Sequence, residues 1–210
     1  FLLIHLFSFR NFAVGTAYSR TEPAQAALFG LIFLSETVTA GVIAAIAISV
    51  FGVMLISVAH TAVSVRSLIA STLSRNALIG LASGTAFGIS AVAYRAASLA
   101  LGGPNFMMQG AVTLAFVIAF QTLIMLAWML WKDTAEIYRI GRAWKLSLFT
   151  GFVGASASFG WFMAMTLQQA AVVKSLAQIE MLFTMTATVF FFREKINRLE
   201  FAGCALIVAG

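Results

Sequence analysis

Residues 40–59 read AGVIAAIAISVFGVMLISVA, twenty positions with neither a charge nor a proline. About 20 mostly apolar residues are what an α-helix needs to cross the hydrocarbon core of a bilayer. The same pattern continues on both sides. Met107–Trp131 carries no charge, and Ala77–Ala97 and Leu146–Leu167 also read as spans, the first with Arg95 near its end. Residues from about Asn11 to Leu34 and from Ala170 to Phe192 contain charges but are bounded like spans. A further helix begins at Leu199, and Phe1–Phe9 reads as the last turns of another.

The connections are short: Ser35–Thr39, His60–Asn76, Ser98–Phe106 with Gly102-Gly103-Pro104, Lys132–Lys145 and Arg193–Arg198. Short loops between apolar helices predict an antiparallel, all-α polytopic membrane bundle. In Lys132–Lys145, Ile137, Ile140 and Trp144 fall at helical spacing among Asp133, Glu136, Arg139 and Arg142. Such a segment suits either a short amphipathic turn on the membrane interface or a solvated loop.

Composition agrees. The chain is 61% hydrophobic and 10% charged, against about 25% charged in soluble domains. That leaves too little polar surface to cover a globule in water. The net charge of +6 does not point to nucleic acid, because the basic residues are spread over inter-helix loops and not gathered on one solvated face. Cys204 is the single cysteine, so no intrachain disulfide forms, and His5 and His60 lack the spaced partners of a metal site. No cofactor is expected.

Shifting the chain by 158 positions aligns Glu22 with Glu180, Phe33 with Phe191 and Glu36 with Glu194, with ten identities in fifty-two positions. The glutamates are the informative part, because the chain has few of them. The later copy holds five spans, and an odd number turns the two copies in opposite directions across the membrane. Inverted repeats of this kind are a hallmark of secondary transporters, which bind substrate near the midplane between the copies.

Thr21-Glu22-Pro23-Ala24-Gln25-Ala26-Ala27-Leu28-Phe29-Gly30, followed by Leu34-Ser35-Glu36-Thr37-Val38-Thr39, resembles the EamA-type repeat of the drug/metabolite transporter superfamily. Gln178-Ile179-Glu180-Met181 and Phe192-Arg193-Glu194-Lys195-Ile196 resemble it a second time, with Met181 where the family often has proline. The resemblance implies a ten-helix inner-membrane permease with both termini cytoplasmic. Residues 1–60 would hold the end of the first repeat (helices three to five) and 77–210 the second (helices six to ten). By the repeat offset, about 80 residues of the first copy would precede Phe1. The family exports amino acids, nucleobases, drugs and other metabolites. The expected partners are therefore the lipid bilayer, a small-molecule substrate and protons as coupling ion, with monomer and homodimer both open.

Charges inside spans are costly, about 2.5–3.5 kcal/mol each on insertion scales, so they face a cavity or a partner. Thr16 and Arg20 stand four apart, and Lys174 and Gln178 occupy the equivalent positions in the second copy. By helical geometry Glu22 lies about 200° around the helix from Arg20 and is not expected to pair with it within its own helix. Two roles stay open for Thr16, Arg20, Glu22, Lys174, Gln178 and Glu180. They line a substrate pathway, with the cations drawing anionic groups and the glutamates taking amines or a proton, or they pair to lock the two helices together. Trp161, mid-span among small residues, is a further candidate for the cavity. Pro23 is expected to kink its helix. Gly80, Gly84 and Gly88, and the small residues of Gly151–Gly160, suit close helix packing.

An enzyme is not expected. Gly154-Ala155-Ser156-Ala157 lacks the final glycine of an intramembrane serine protease motif, and the spans contain no aspartate. A channel-like or structural membrane subunit is the alternative to a transporter. The loops His60–Asn76, Lys132–Lys145 and Arg193–Arg198 hold nine Lys and Arg, which the positive-inside rule would place in the cytoplasm. The family topology would place those loops outside, and the sidedness stays open.

Overall fold

The computed structural model describes residues 4–5, 18–59, 74–192 and 198–209. The chain is an all-α membrane bundle. Its helices are α1 (Glu22–Leu34), α2 (Ala40–Ala59), α3 (Arg75–Ala100), α4 (Phe106–Lys132), α5 (Thr134–Arg142), α6 (Trp144–Leu167), α7 (Ala170–Ala177), α8 (Glu180–Phe192) and α9 (Arg198–Ala209). Among the described residues there is no strand, and α3, α4 and α6 are long and apolar enough to cross a membrane. Thr16, His60, Glu194 and most of Phe1–Phe9 lie outside the described residues.

Two compact units form, Phe1–Ala93 with Gln169–Gly210, and Tyr94–Gln168. In the first, α9 packs along α2, and α7 packs on α1 and α2. Glycine makes the α2–α9 contact possible. A Cβ on Gly52 would come within 2.6 Å of the Gly203 carbonyl oxygen, and a Cβ on Gly203 within 2.6 Å of the Gly52 oxygen. The glycine face of α3 packs against the start of α1. A Cβ on Gly84 would stand 3.0 Å from both the Ser19 oxygen and Gln25 Nε2, and one on Gly88 would stand 3.2 Å from the Ala26 nitrogen. α1 ends at Ser35, whose φ of +52° lets the Glu36 N–H reach the Gly30 carbonyl at 3.1 Å.

In the second unit, α4 packs on α6. Gly110 lets α4 approach Met163, and Tyr94 stacks on Phe162 with ring centroids 4.6 Å apart. Arg95 closes the C-terminal end of α6, donating to the carbonyls of Met165 (2.7 Å) and Gln168 (2.8 Å). This supplies a cation where the terminal carbonyls of a helix lack partners. Asn105 caps α4 by accepting from the Met107 and Met108 amides. By contrast with the α3 glycines, a Cβ on Gly151, Gly154 or Gly160 would meet nothing within 4 Å.

Within Lys132–Lys145 the chain forms the short helix α5, capped by Asp133. Trp144 belongs to α6 and not to this turn.

Candidate functional site

Two expected spans are not continuous helices. In the first, Tyr18 and Ser19 are helical, Arg20 and Thr21 form a turn, and α1 starts at Glu22. In the second, α7 ends at Ala177, Gln178 and Ile179 form a turn, and α8 starts at Glu180. The two interruptions fall 158 residues apart, the offset that aligns the glutamates. Their backbone hydrogen bonds correspond too. Thr21 donates to Tyr18 (3.2 Å) and Ile179 to Leu176 (3.1 Å), while Gln25 donates to Thr21 (3.2 Å) and Phe183 to Ile179 (3.4 Å).

Proline is not what makes the second break. Met181 has an amide and donates it to Gln178 at 3.0 Å, in a tight three-residue turn, and the helix still restarts at Glu180. Pro23 therefore starts a helix and does not bend one. It lies in the first turn of α1, where a missing N–H leaves no hydrogen bond unmade. The carbonyl it cannot serve, that of Ser19, lies against Gly84.

The breaks put charge on helix ends of the favourable sign. Glu22 and Glu180 occupy the first turns of α1 and α8, and Lys174 the last turn of α7. Acids at N-termini and bases at C-termini complement the helix macrodipole. With the helix interrupted between Arg20 and Glu22, the 200° separation of a continuous helix no longer governs them.

The charges pair across the two breaks. Arg20 Nη1 donates to Glu180 Oε1 at 2.5 Å, and Lys174 Nζ lies 2.7 Å from Glu22 Oε1. The second contact is an ion pair whose angles do not make it a directed hydrogen bond. It is also the more enclosed, with side chains 19% and 20% exposed against 37% and 56% for Arg20 and Glu180. Gln178 joins the breaks directly, its Nε2 donating to the Arg20 carbonyl at 3.4 Å. Gln178 is only 4% exposed, and its Oε1 has no hydrogen-bond donor among the described residues. Five expected site residues, Arg20, Glu22, Lys174, Gln178 and Glu180, therefore meet in one place. Trp161 is half-buried on α6 in the other unit.

Sequence reasoning missed a second polar group beside the first break. Thr85 donates to Gln25 Oε1 (2.6 Å), Gln25 Nε2 donates to Thr21 Oγ1 (2.8 Å), and Thr21 Oγ1 donates to the Tyr18 carbonyl (2.7 Å). The available signal was Gln25 itself, a polar side chain one turn after Thr21 in an otherwise apolar run. Beside the second break lies a cavity of about 430 Å³, lined by Val42, Ile46, Ser49, Ser175, Leu176, Ile179 and Ile207 among others.

Apolar helices, some long enough to span a bilayer, with two interrupted helices joined by crossed ion pairs, describe a polytopic helical membrane protein. Residues 74–210 match the model of the EamA-like transporter family. The chain belongs to that family, a group of membrane transporters in the drug/metabolite superfamily. No curated protein matches the chain.

Proposed function

We propose that the chain carries small metabolites or drugs out across the cell inner membrane by alternating access, with protons as coupling ion, and that the two paired breaks form its substrate gate. One observation carries this reading: two helices interrupted at the same repeat position, each holding a charge that pairs with the other. Discontinuous helices at the interface of inverted repeats are where secondary transporters bind their cargo. Here Arg20 and Lys174 attract an anionic group, and Glu22 and Glu180 accept an amine or a proton. A substrate that takes one partner of a pair removes a bond between the breaks and frees them to separate. The neighbouring 430 Å³ cavity is within the roughly 300–1,000 Å³ of small-molecule sites and suits an apolar body.

The test is transport by the full-length protein at matched expression. Lys174→Gln should weaken substrate affinity about tenfold, equal to about 1.4 kcal/mol, with partial rescue by Lys174→Arg, whose fork is shaped differently. The swap of Glu22→Lys with Lys174→Glu separates gate from lock. For a gate, the swap recovers folded yield but not transport. Recovery of both would make the pair a structural lock and remove it from the substrate path. Saturable counterflow is expected of wild type, and its absence with substrate still passing would favour a channel.

A further inference from the structure

The segment between α4 and α6 distributes its charge unevenly. Lys132–Lys145 holds four basic and two acidic residues. Both acids are engaged locally. Asp133 accepts from the Ala135 amide at 3.1 Å, and Arg139 pairs with Glu136 at 2.5 Å and with Asp133 at 3.5 Å. Among the described residues, no carboxylate lies within ion-pair distance of Lys132, Arg142 or Lys145.

Two of those cations stand over indole rings. Lys132 Nζ lies 4.8 Å from the Trp131 ring centre and 5.7 Å from that of Trp128, and Lys145 Nζ lies 5.8 Å from that of Trp144. Tryptophan with lysine at a helix end is the composition of a membrane–water boundary. α5, with none of its residues buried, runs between the two lysines. At 1.5 Å per residue it is about 13 Å long, so Lys132 and Lys145 flank its two ends.

α5 also overhangs an apolar groove. Ile137 and Ile140 face Met125, Leu126 and Met129 of α4 across about 360 Å³, with Gln121 and Thr122 toward the middle of α4. Unbranched methionine side chains adapt to an irregular, flexible chain. Uncompensated cations, two of them over indole rings, on the segment that borders an apolar groove fit an amphiphile with an anionic head.

We propose that this end of the molecule is a binding site for an anionic phospholipid, with one acyl chain in the groove under α5 and the phosphate at the rim formed by Lys132, Arg142 and Lys145. The charge on the rim selects the headgroup, and the groove requires the tail. This site is independent of the paired breaks.

The experiment uses full-length protein purified in mild detergent, with lipid retention read by native mass spectrometry. Phosphatidylglycerol should be retained about tenfold more tightly than phosphatidylcholine of the same acyl chains, the preference resting on basic side chains near an anionic headgroup. The combined Lys132→Gln, Arg142→Gln and Lys145→Gln variant should bring that ratio close to one. Ile140→Trp, which fills the groove, should lower retention of both lipids. Glycerol phosphate, a head without a tail, should not compete. Equal retention of the two lipids by wild type overturns the proposal, even where a variant fails to fold. So does an unchanged preference in the triple variant, or displacement by glycerol phosphate. A lipid-free, concentration-dependent dimer dissolved by Ile140→Trp would assign the groove to a second copy and overturn it equally.

Discussion

The two helix breaks share their position, their hydrogen-bonding pattern and their glutamate, yet they are held in different ways. The first, around Arg20-Thr21, is braced from α3. Gly84 lies against the Ser19 carbonyl, and Thr85, Gln25 and Thr21 form a chain of hydrogen bonds ending on the Tyr18 carbonyl. In the second, the residues equivalent to Thr21, Gln25 and Pro23 are Ile179, Phe183 and Met181. None of these can supply that polar chain, and Ile179 borders an open cavity. The ion pairs are shared between the breaks, while the bracing belongs to one of them. Among the described residues the first break is thus held by more polar contacts than the second, and uneven local stability is what moving elements need.

The largest expected effect tests the brace by steric force. In Gly84→Leu the first added carbon alone comes within 3.0 Å of the Ser19 oxygen, a backbone atom that cannot turn aside. Overpacking typically costs about 1–3 kcal/mol, and a clash with backbone belongs at the upper end. Folded yield and Tm of the full-length protein should both fall. Gly151→Leu, where a Cβ meets nothing within 4 Å, should leave both near wild type. Equal behaviour of the two variants would mean that α3 does not brace the break.

A smaller effect tests the polar chain. Gln25→Leu keeps the bulk of the side chain and removes its bonds to Thr85 and Thr21. At about 0.5–1.5 kcal/mol per hydrogen bond, Tm should drop by several degrees. The equivalent change beside the second break, Phe183→Leu, affects a side chain 71% exposed and should shift stability by no more than about 0.5 kcal/mol. If the two variants lose the same stability, the asymmetry between the breaks disappears.

Much of this architecture was legible in the sequence. α2 runs over the residues read as a span, and α4 and α6 begin and end within a residue or two of theirs, because a long uncharged run leaves little choice in a bilayer. The glutamate register marked both breaks without revealing them. A two-residue turn inside a span changes its mean hydropathy hardly at all, and the proline signal pointed to a kink in one copy only. The partners of the charges were beyond reach for a different reason. Arg20 and Glu180 are 160 residues apart, and only the packing of α7 on α1 brings them together. Gln25 was visible as a polar residue in an apolar run, but its role depends on Thr85 arriving from α3. Trp161 stood out by its surroundings in sequence and lies in the other compact unit.

The smallest expected effect concerns Pro23, and it decides what holds the first break open. If proline does so, Pro23→Ala restores an amide that can bond the Ser19 carbonyl in normal helical register, and the turn at Arg20-Thr21 closes into continuous helix. Arg20 and Glu22 then point in directions about 200° apart, and Arg20 leaves Glu180. If tertiary contacts hold it, the new amide takes the course of the Met181 amide, which bonds the residue three before it and leaves its break intact. The second outcome is expected, because the Ser19 carbonyl is already packed against Gly84 and the Arg20 carbonyl already accepts from Gln178. Only the stiffness that proline lends the unfolded chain is lost, about 0.4–1 kcal/mol, or about 1–4 °C in Tm for a chain of this size. Transport should stay near wild type. A loss of transport as deep as that of Lys174→Gln, with Tm hardly moved, would show that the helix had healed and that the proline keeps the first break.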